Sequence, residues 1–326
     1  MNPFTRESSR SIAHLGETQL IENLRRWLGD TAPPPPFGMG DDCAVLPSTA
    51  EGSLQLVTAD PLIYGKHFDD SITPQQAASK LLRRNLSDIA AMGGRPTHAV
   101  ISLALDPSVS ISWIKEFYIG LAKEAQFFST RIVGGDISSA DKFLGAFLTL
   151  YGETLPSNKP LLRHAAQAGS PLYVTGTLGG TRLKKHHTFT PRLIEGHWLA
   201  NSGLCLSCSD LSDGLGKDFL NVIPTHLACE IDCSLLPVSQ DAFETATISN
   251  RDALYHVFND GEDFELIFAL NPGVDLTFFA SNWGKSIDTP LTHIGYAIDP
   301  PAMGLPSLIL KNAPQGFTAT GYEHLR

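Results

Sequence analysis

Strand-patterned and helix-patterned runs mix along the whole chain, and the joints between them are repeatedly acidic Gly/Asp turns. That mixture points to an α/β class with α+β mixed sheets. At 326 residues the chain is long for one domain, so two are expected. A composition of 42% hydrophobic and 18% charged residues supplies a substantial core for both.

The pattern can be followed from the N-terminus. "GETQLIENLRRWLG" puts Leu20, Leu24, Trp27 and Leu28 on one helical face, with Gly29 as a stop. Pro33 to Pro36 form a stiff connector into "GMGDDCAVL", where Cys43 to Leu46 read as a strand. A second strand runs from Ser53 to Ala59 and stops at Asp60, ahead of Pro61. "PQQAASKLLRRNLSDIAAMGG" is a helix closed by glycines, "THAVISLAL" a strand, "SISWIKEFYIGLAKEAQFF" a helix, and "RIVGG" and "FLGAFLTLYGE" strands. The Pro-rich polar stretch "TLPSNKPLL" changes the composition and sets the expected domains at 1–153 and 154–326. Beyond it, "PLYVTGTLGG" is strand then turn, "LSCSDLSDGLGKDFLNVI" strand, turn and helix, and "DGEDFELIFAL" turn then strand.

A net charge of −10 argues against a nucleic-acid partner or an anionic membrane surface. The start of the chain lacks an apolar leader, and nowhere do about 18 apolar residues run together, so a cytoplasmic protein is expected. Five cysteines do not suggest a disulfide framework. The spacing of Cys205, Cys208, Cys229 and Cys233 raises zinc, but strand alternation would put Cys205 and Cys208 on opposite faces. Buried free thiols are the better reading.

The acidic turns carry the chemistry. Asp41 and Asp42 open one strand and Asp60 closes its expected antiparallel partner. At one end of such a hairpin they would stand about 7–8 Å apart, a span that hydrated cations bridge. Gly-Asp-Asp is equally good turn chemistry. Asp88 shares a helix face with Lys80 and Arg84, either as a solvated pair with Arg84 or as a ligand. Asp136 follows the glycines of "IVGGD", which either approach a phosphate or make a tight turn. In "SDLSDGL", Asp210 ends a strand, and Ser212 or Asp213 either caps a helix or offers an anion site. Glu262 and Asp263 stand just ahead of another strand. No Walker loop, strand-linked G-x-G-x-x-G or H-E-x-x-H occurs. A polyanion bound through several carboxylate-held Mg2+ ions fits this set.

The segments "GMGDDCAVL", "TADPLIYGKHF", "KLLRRNLSDIAAMGG", "IVGGD", "VTGTLGG", "SDLSDGL", "GEDFEL" and "GYEHL" resemble, in order, those of the thiamine-monophosphate kinase family. The resemblance implies a two-domain aminoimidazole-ribonucleotide synthetase-like fold, its N-terminal sheet forming a barrel across a homodimer. It implies ATP-dependent, Mg2+-assisted phosphorylation of thiamine monophosphate to thiamine diphosphate, without a general base. By position, Asp42, Thr58, Ala59, Asp60, Asp88, Asp136, Asp210 and Asp213 would be metal ligands. Gly135, Asp136, Arg163 and Ser212 would meet ATP, and His67 and Glu262 the thiamine phosphate. The N-terminal domain would then dimerise and hold metal and ATP phosphates, and the C-terminal domain would complete the site. A different phosphorylated acceptor, or a non-catalytic nucleotide-binding dimer, are the competing readings. The chain departs from the family pattern at Pro61, at Ile137 and Ser139, in "TRLKKHH", and at Ala319, where an aromatic is expected.

Overall fold

The computed structural model describes residues 3–15, 17–32, 53–300 and 307–322. Two compact units emerge, Met1–Ile89 with Arg95–Pro156, and Ala90–Gly94 with Ser157–Arg326. The "GMGDDCAVL" turn with Asp41 and Asp42, the proline connector and the strand expected over Cys43–Leu46 lie outside the described residues.

The first unit is built on a four-stranded sheet. Its strands are β1 (Gln55–Ile63), β2 (Gly94–Leu105), β3 (Arg131–Ser139) and β4 (Leu144–Thr154), in the order β1-β4-β2-β3. β1 and β4 are antiparallel, while β2 and β3 are parallel. The parallel pair needs a crossover, and α3 (Ile111–Phe127) supplies it. Helix α1 (Glu17–Leu28) buries Leu20, Leu24 and Leu28 as its pattern predicts and packs on α3. Helix α2 (Pro74–Ala91) buries Leu81, Leu82 and Leu86 completely, each contributing roughly 1.5–3 kcal/mol over exposure. Phe68, Trp113 and Phe117 stack in series against Leu62, Leu103 and Leu144.

Two expectations change here. The strand read as ending at Asp60 continues through Pro61 to Ile63, with Pro61 opposite Phe147. Proline is tolerated because β1 is the edge strand of this sheet among the described residues. The glycines of "IVGGD" make no turn either: β3 runs through Gly134, Gly135 and Asp136 to Ser139. A Cβ on Gly135 would lie 1.8 Å from the Ile101 carbonyl oxygen, so the glycine serves a close backbone approach. The pairing slips between Ala99 and Val100, a bulge beside it.

The second unit carries a six-stranded sheet. Its strands are β5 (Pro171–Thr175), β6 (Cys205–Asp210), β7 (Ala228–Asp232), β8 (Leu266–Leu270), β9 (Leu291–Ile298) and β10 (Leu308–Lys311). They lie in the order β10-β7-β9-β5-β8-β6. Helices α4 (Leu193–Ser202), α5 (Leu215–Asp218), α6 (Gln240–Ser249), α7 (Ala253–Asn259) and α8 (Leu276–Ser286) surround it. Leu172, Val174, Ile267 and Ala269 face a core with Leu215, Val257 and Phe258. Tyr173, Leu266, Phe268 and Leu270 face a second core with Leu199, Phe279 and Trp283. Both sheet faces are therefore covered, which is why β5 and β8 read as continuous apolar runs. Side chains of Ser239, Asp252 and Asp275 cap α6, α7 and α8, each worth about 1 kcal/mol.

The thiols differ from expectation in one respect. A register shift between Cys205 and Ser207 cancels the alternation, so Cys205 comes to Cys208 instead of facing away. The Cys205 contact first, and burial second, hold the Cys208 thiol well above the ordinary range.

Candidate active site

In the first unit, Asp60 and Asp88 lie along a polar ladder between β1 and α2. Thr58 and Asp60 lie on the same strand face as buried Leu56 and Leu62, as a period of two requires. The helix answers residue by residue. Thr58 Oγ1 donates to Asp88 Oδ2 at 2.5 Å. Asn85 Oδ1 accepts the Asp60 amide at 3.0 Å, and its own amide group donates to the Leu81 carbonyl. Arg84 donates to the Pro61 carbonyl at 3.0 Å and reaches Asp60 Oδ1 at 3.5 Å. One turn further back, Lys80 Nζ donates to the His67 carbonyl at 2.7 Å.

This replaces the solvated helix face that the sequence suggested. Lys80 and Arg84 are buried, and Arg84 lies with Asp60 and Pro61. His67 sits in the turn after β1, its Nδ1 accepting the Ile63 amide at 2.9 Å. The proton of the neutral ring is thereby placed on Nε2. Ala59 lies between Thr58 and Asp60 in the strand. Asp136 is not part of this ladder. It is exposed on β3, at the opposite edge of the sheet from β1, three strand spacings or roughly 14 Å away.

In the second unit, two loops are laced together. The amides of Glu262 and Phe264 donate to the carbonyls of Ser212 and Leu211, and the Leu211 amide donates to Glu265, all at 2.8 Å. Gly261 and Gly214 have positive φ, and a Cβ on either would come within 2.7 Å of a neighbouring carbonyl oxygen. Asp210 ends β6 in a buried position. The Asp213 carboxylate accepts Lys217 Nζ at 2.7 Å, its amide donates to Asp218 Oδ2, and its carbonyl accepts the Tyr322 amide.

Neither Ser212 nor Asp213 caps a helix, because α5 has only four residues and starts behind Gly214. Arg163 is exposed on a segment whose backbone is pinned by Cys208, Ser207 and Asn221. Phe317, the aromatic nearest to Ala319, where the family pattern has one, packs edge-on against Phe258 of the core.

Asp218, Glu265, Arg192 and Lys185 were not singled out from the sequence, whereas Asp263 was, beside Glu262. Burial pushes Asp218 up to about 7, and Asp263 up to about 6. Glu265 takes a two-pronged contact from Arg192, with Thr175 and Lys185 beside it. No local signal marks their burial: the charged–apolar alternation of "DFEL" predicts a solvated face for Asp263 and Glu265, yet both are buried. Among the described residues no three or more His, Cys, Asp or Glu form a metal-holding group.

Residues 40–153 match the family AIR synthase related protein, N-terminal domain. The thiamine-monophosphate kinase of Rhodopirellula baltica is 33% identical over 269 residues, covering 80% of this chain and 83% of that protein. The chain belongs to the thiamine-monophosphate kinase family. The crystal structure of the thiamine-monophosphate kinase from Stenotrophomonas maltophilia K279a agrees with it at a TM-score of 0.72 and 27% identity, over 89% of this chain and 95% of that one. AaThiL complexed with AMPPCP and TMP agrees at a TM-score of 0.70 and 26% identity, over 95% of this chain and 97% of that one. In this member of the thiamine-monophosphate kinase family, the β1–α2 ladder holds Asp60 and Asp88, and the laced loops hold Asp213 and Glu262.

Proposed function

We propose that this chain transfers a phosphoryl group from ATP to thiamine monophosphate, giving thiamine diphosphate and ADP. The match to the Rhodopirellula baltica kinase over four-fifths of the chain carries this reading. It gains support from AaThiL, a fold neighbour complexed with AMPPCP and TMP.

The donor set of the β1–α2 ladder suits magnesium. The carboxylates of Asp60 and Asp88, the Thr58 hydroxyl and the Ala59 carbonyl are all oxygen donors on adjacent elements, the ligands this hard cation takes. Asp42, Asp136, Asp210 and Asp213 are proposed to complete a set for several Mg2+ ions. When bound, magnesium supplies positive charge between the phosphates, so that two polyanions can approach in a chain of net charge −10.

The protein's own part is positional. Thr58 and Asn85 fix the side chain of Asp88 and the backbone of Asp60. Lys217 and Tyr322 fix Asp213. Gly135 and Asp136, with Arg163 and Ser212, are proposed to meet ATP, and His67 and Glu262 the thiamine phosphate. His67 offers an Nε2–H donor, because Nδ1 is already occupied. The attacking phosphate oxygen is deprotonated at neutral pH, so no residue is assigned as a general base.

The domain roles follow. Residues 1–153 are proposed to dimerise and to hold metal and ATP phosphates, and residues 154–326 to complete the ATP and substrate site. The sheet of the first unit has an outer face where Val57 and Phe147 are 58% and 41% exposed, and Ala59, Pro61, Thr149 and Tyr151 lie in register with them. A homodimer that closes this sheet into a barrel would cover it. Among the described residues no helix is long and apolar enough to cross a membrane. We place the protein in the cytoplasm, without a nucleic-acid or membrane partner.

The test is a coupled ADP assay with Mg-ATP and thiamine monophosphate, the product identified by mass. Release of ADP without thiamine diphosphate would overturn the assignment.

A further inference from the structure

We infer that Lys185 and Phe189 form a clasp that positions Glu262 for the substrate, a role that rests on Glu262 meeting thiamine monophosphate. The clasp lies in residues 181–189, part of which departs from the family pattern.

The loop it holds has an uncommon backbone. Gly261, Glu262 and Phe264 all have positive φ, at 73°, 60° and 51°. Residues with a Cβ seldom adopt this region, and they keep it only where their surroundings over-determine it. On one side the determinants are the backbone bonds to Leu211 and Ser212. On the other side stand Asp263 and Glu265, both almost wholly buried.

Lys185 touches both of these carboxylates, Asp263 Oδ1 at 3.3 Å and Glu265 Oε1 at 3.1 Å, and also donates to the Thr177 carbonyl. The Gly179 amide donates to Asp263 Oδ1 at 2.8 Å. Asp263 Oδ2 is buried without a hydrogen-bond partner among the described residues, so the ammonium and this one amide hold the group. Glu265 has firmer anchors, with Arg192 at 2.6 and 2.7 Å and Thr175 at 2.7 Å. One turn after Lys185, the Phe189 ring stacks on Phe264 with centroids 4.1 Å apart. The Phe189 amide bonds back to the Lys185 carbonyl, so both contacts belong to one continuous helical turn. Asp263 and Phe264 are thus gripped directly behind Glu262. Losing either grip lets the left-handed pair relax and carries the Glu262 carboxylate out of place.

A double-mutant cycle with Lys185→Met and Glu262→Gln decides the matter, read in steady-state kinetics. Lys185→Met should raise the KM for thiamine monophosphate about tenfold, with the KM for ATP within about twofold. Lys185→Arg should restore most of the loss. The double variant should be no worse than Glu262→Gln alone, because Lys185 acts through Glu262. Additive losses, or equal rises in both KM values, would overturn the clasp. If Glu262→Gln leaves the KM for thiamine monophosphate unchanged, it is the role of Glu262 that fails. Should Lys185→Met not fold, Phe189→Leu keeps the same cycle and the same deciding outcomes.

Discussion

Thr58 Oγ1 and Asp88 Oδ2 stand 2.5 Å apart although thirty positions separate them in the chain. The bond orients the carboxylate and leaves the lone pairs of the hydroxyl oxygen available. Asp88→Asn should lower kcat by about 100-fold or more, beyond what loss of an outer-shell partner does, with the circular dichroism spectrum unchanged. Thr58→Val should show a smaller loss in the same direction. Steady-state rates at saturating Mg2+ check both, and a near-normal kcat for Asp88→Asn would count against its assignment.

Arg84 is buried, donates to the Pro61 carbonyl and sits beside Asp60. Arg84→Leu strands that carbonyl and an aspartate charge, which should cost roughly 1–3 kcal/mol of stability. Arg84→Lys should recover less than half, since a point charge cannot serve both oxygens as a planar fork does. Urea unfolding of the variants provides the comparison.

Asp263 titrates near 6 in the fold, above its ordinary value of 3.8, because burial disfavours its charge. The folded state therefore holds this proton more tightly than the unfolded chain does. Its contribution to stability is present below about 3.8 and is lost as pH rises through about 6. Asp218, raised to about 7, acts in the same direction. Asp263→Asn should narrow the gap between unfolding free energies at pH 4.5 and pH 7.5 by roughly 2 kcal/mol. An unchanged gap would show that Asp263 does not titrate in this window.

Val57 and Phe147 are exposed on the outer face of the first unit's sheet. Val57→Lys combined with Phe147→Lys should convert the proposed dimer into monomers, because a desolvated like-charge cluster disfavours association. Sedimentation velocity distinguishes the two species. A parent protein that sediments as a monomer would remove the barrel from the proposal.

Much of this arrangement was legible in the sequence. Leu20, Leu24 and Leu28 and the glycine stops carry their signal openly, and the apolar run Leu266–Leu270 marks a strand covered on both faces. What stayed hidden depended on tertiary context. Pro61 reads as a strand end, yet the strand passes through it at what is, among the described residues, the edge of the sheet. Gly134 and Gly135 read as a turn, yet Gly135 makes room for the Ile101 carbonyl. Lys80 and Arg84 look like a solvated face, but their charges satisfy carbonyls of a turn and a strand far along the chain. No local period encodes such partners. The Lys185 clasp was invisible for the same reason: its two carboxylates lie roughly eighty residues away.

The Glu262 loop runs straight into β8, an interior strand whose alternate side chains serve two different cores. A one-residue insertion at positions 261–265 would have to be absorbed within the loop or slip that strand by one place. A slip would trade Leu266, Phe268 and Leu270 for Ile267 and Ala269 on each face. The spacing between the Glu262 carboxylate and the sheet is thus fixed by core volume, and natural or designed length changes will be tolerated elsewhere on this surface before they are tolerated here.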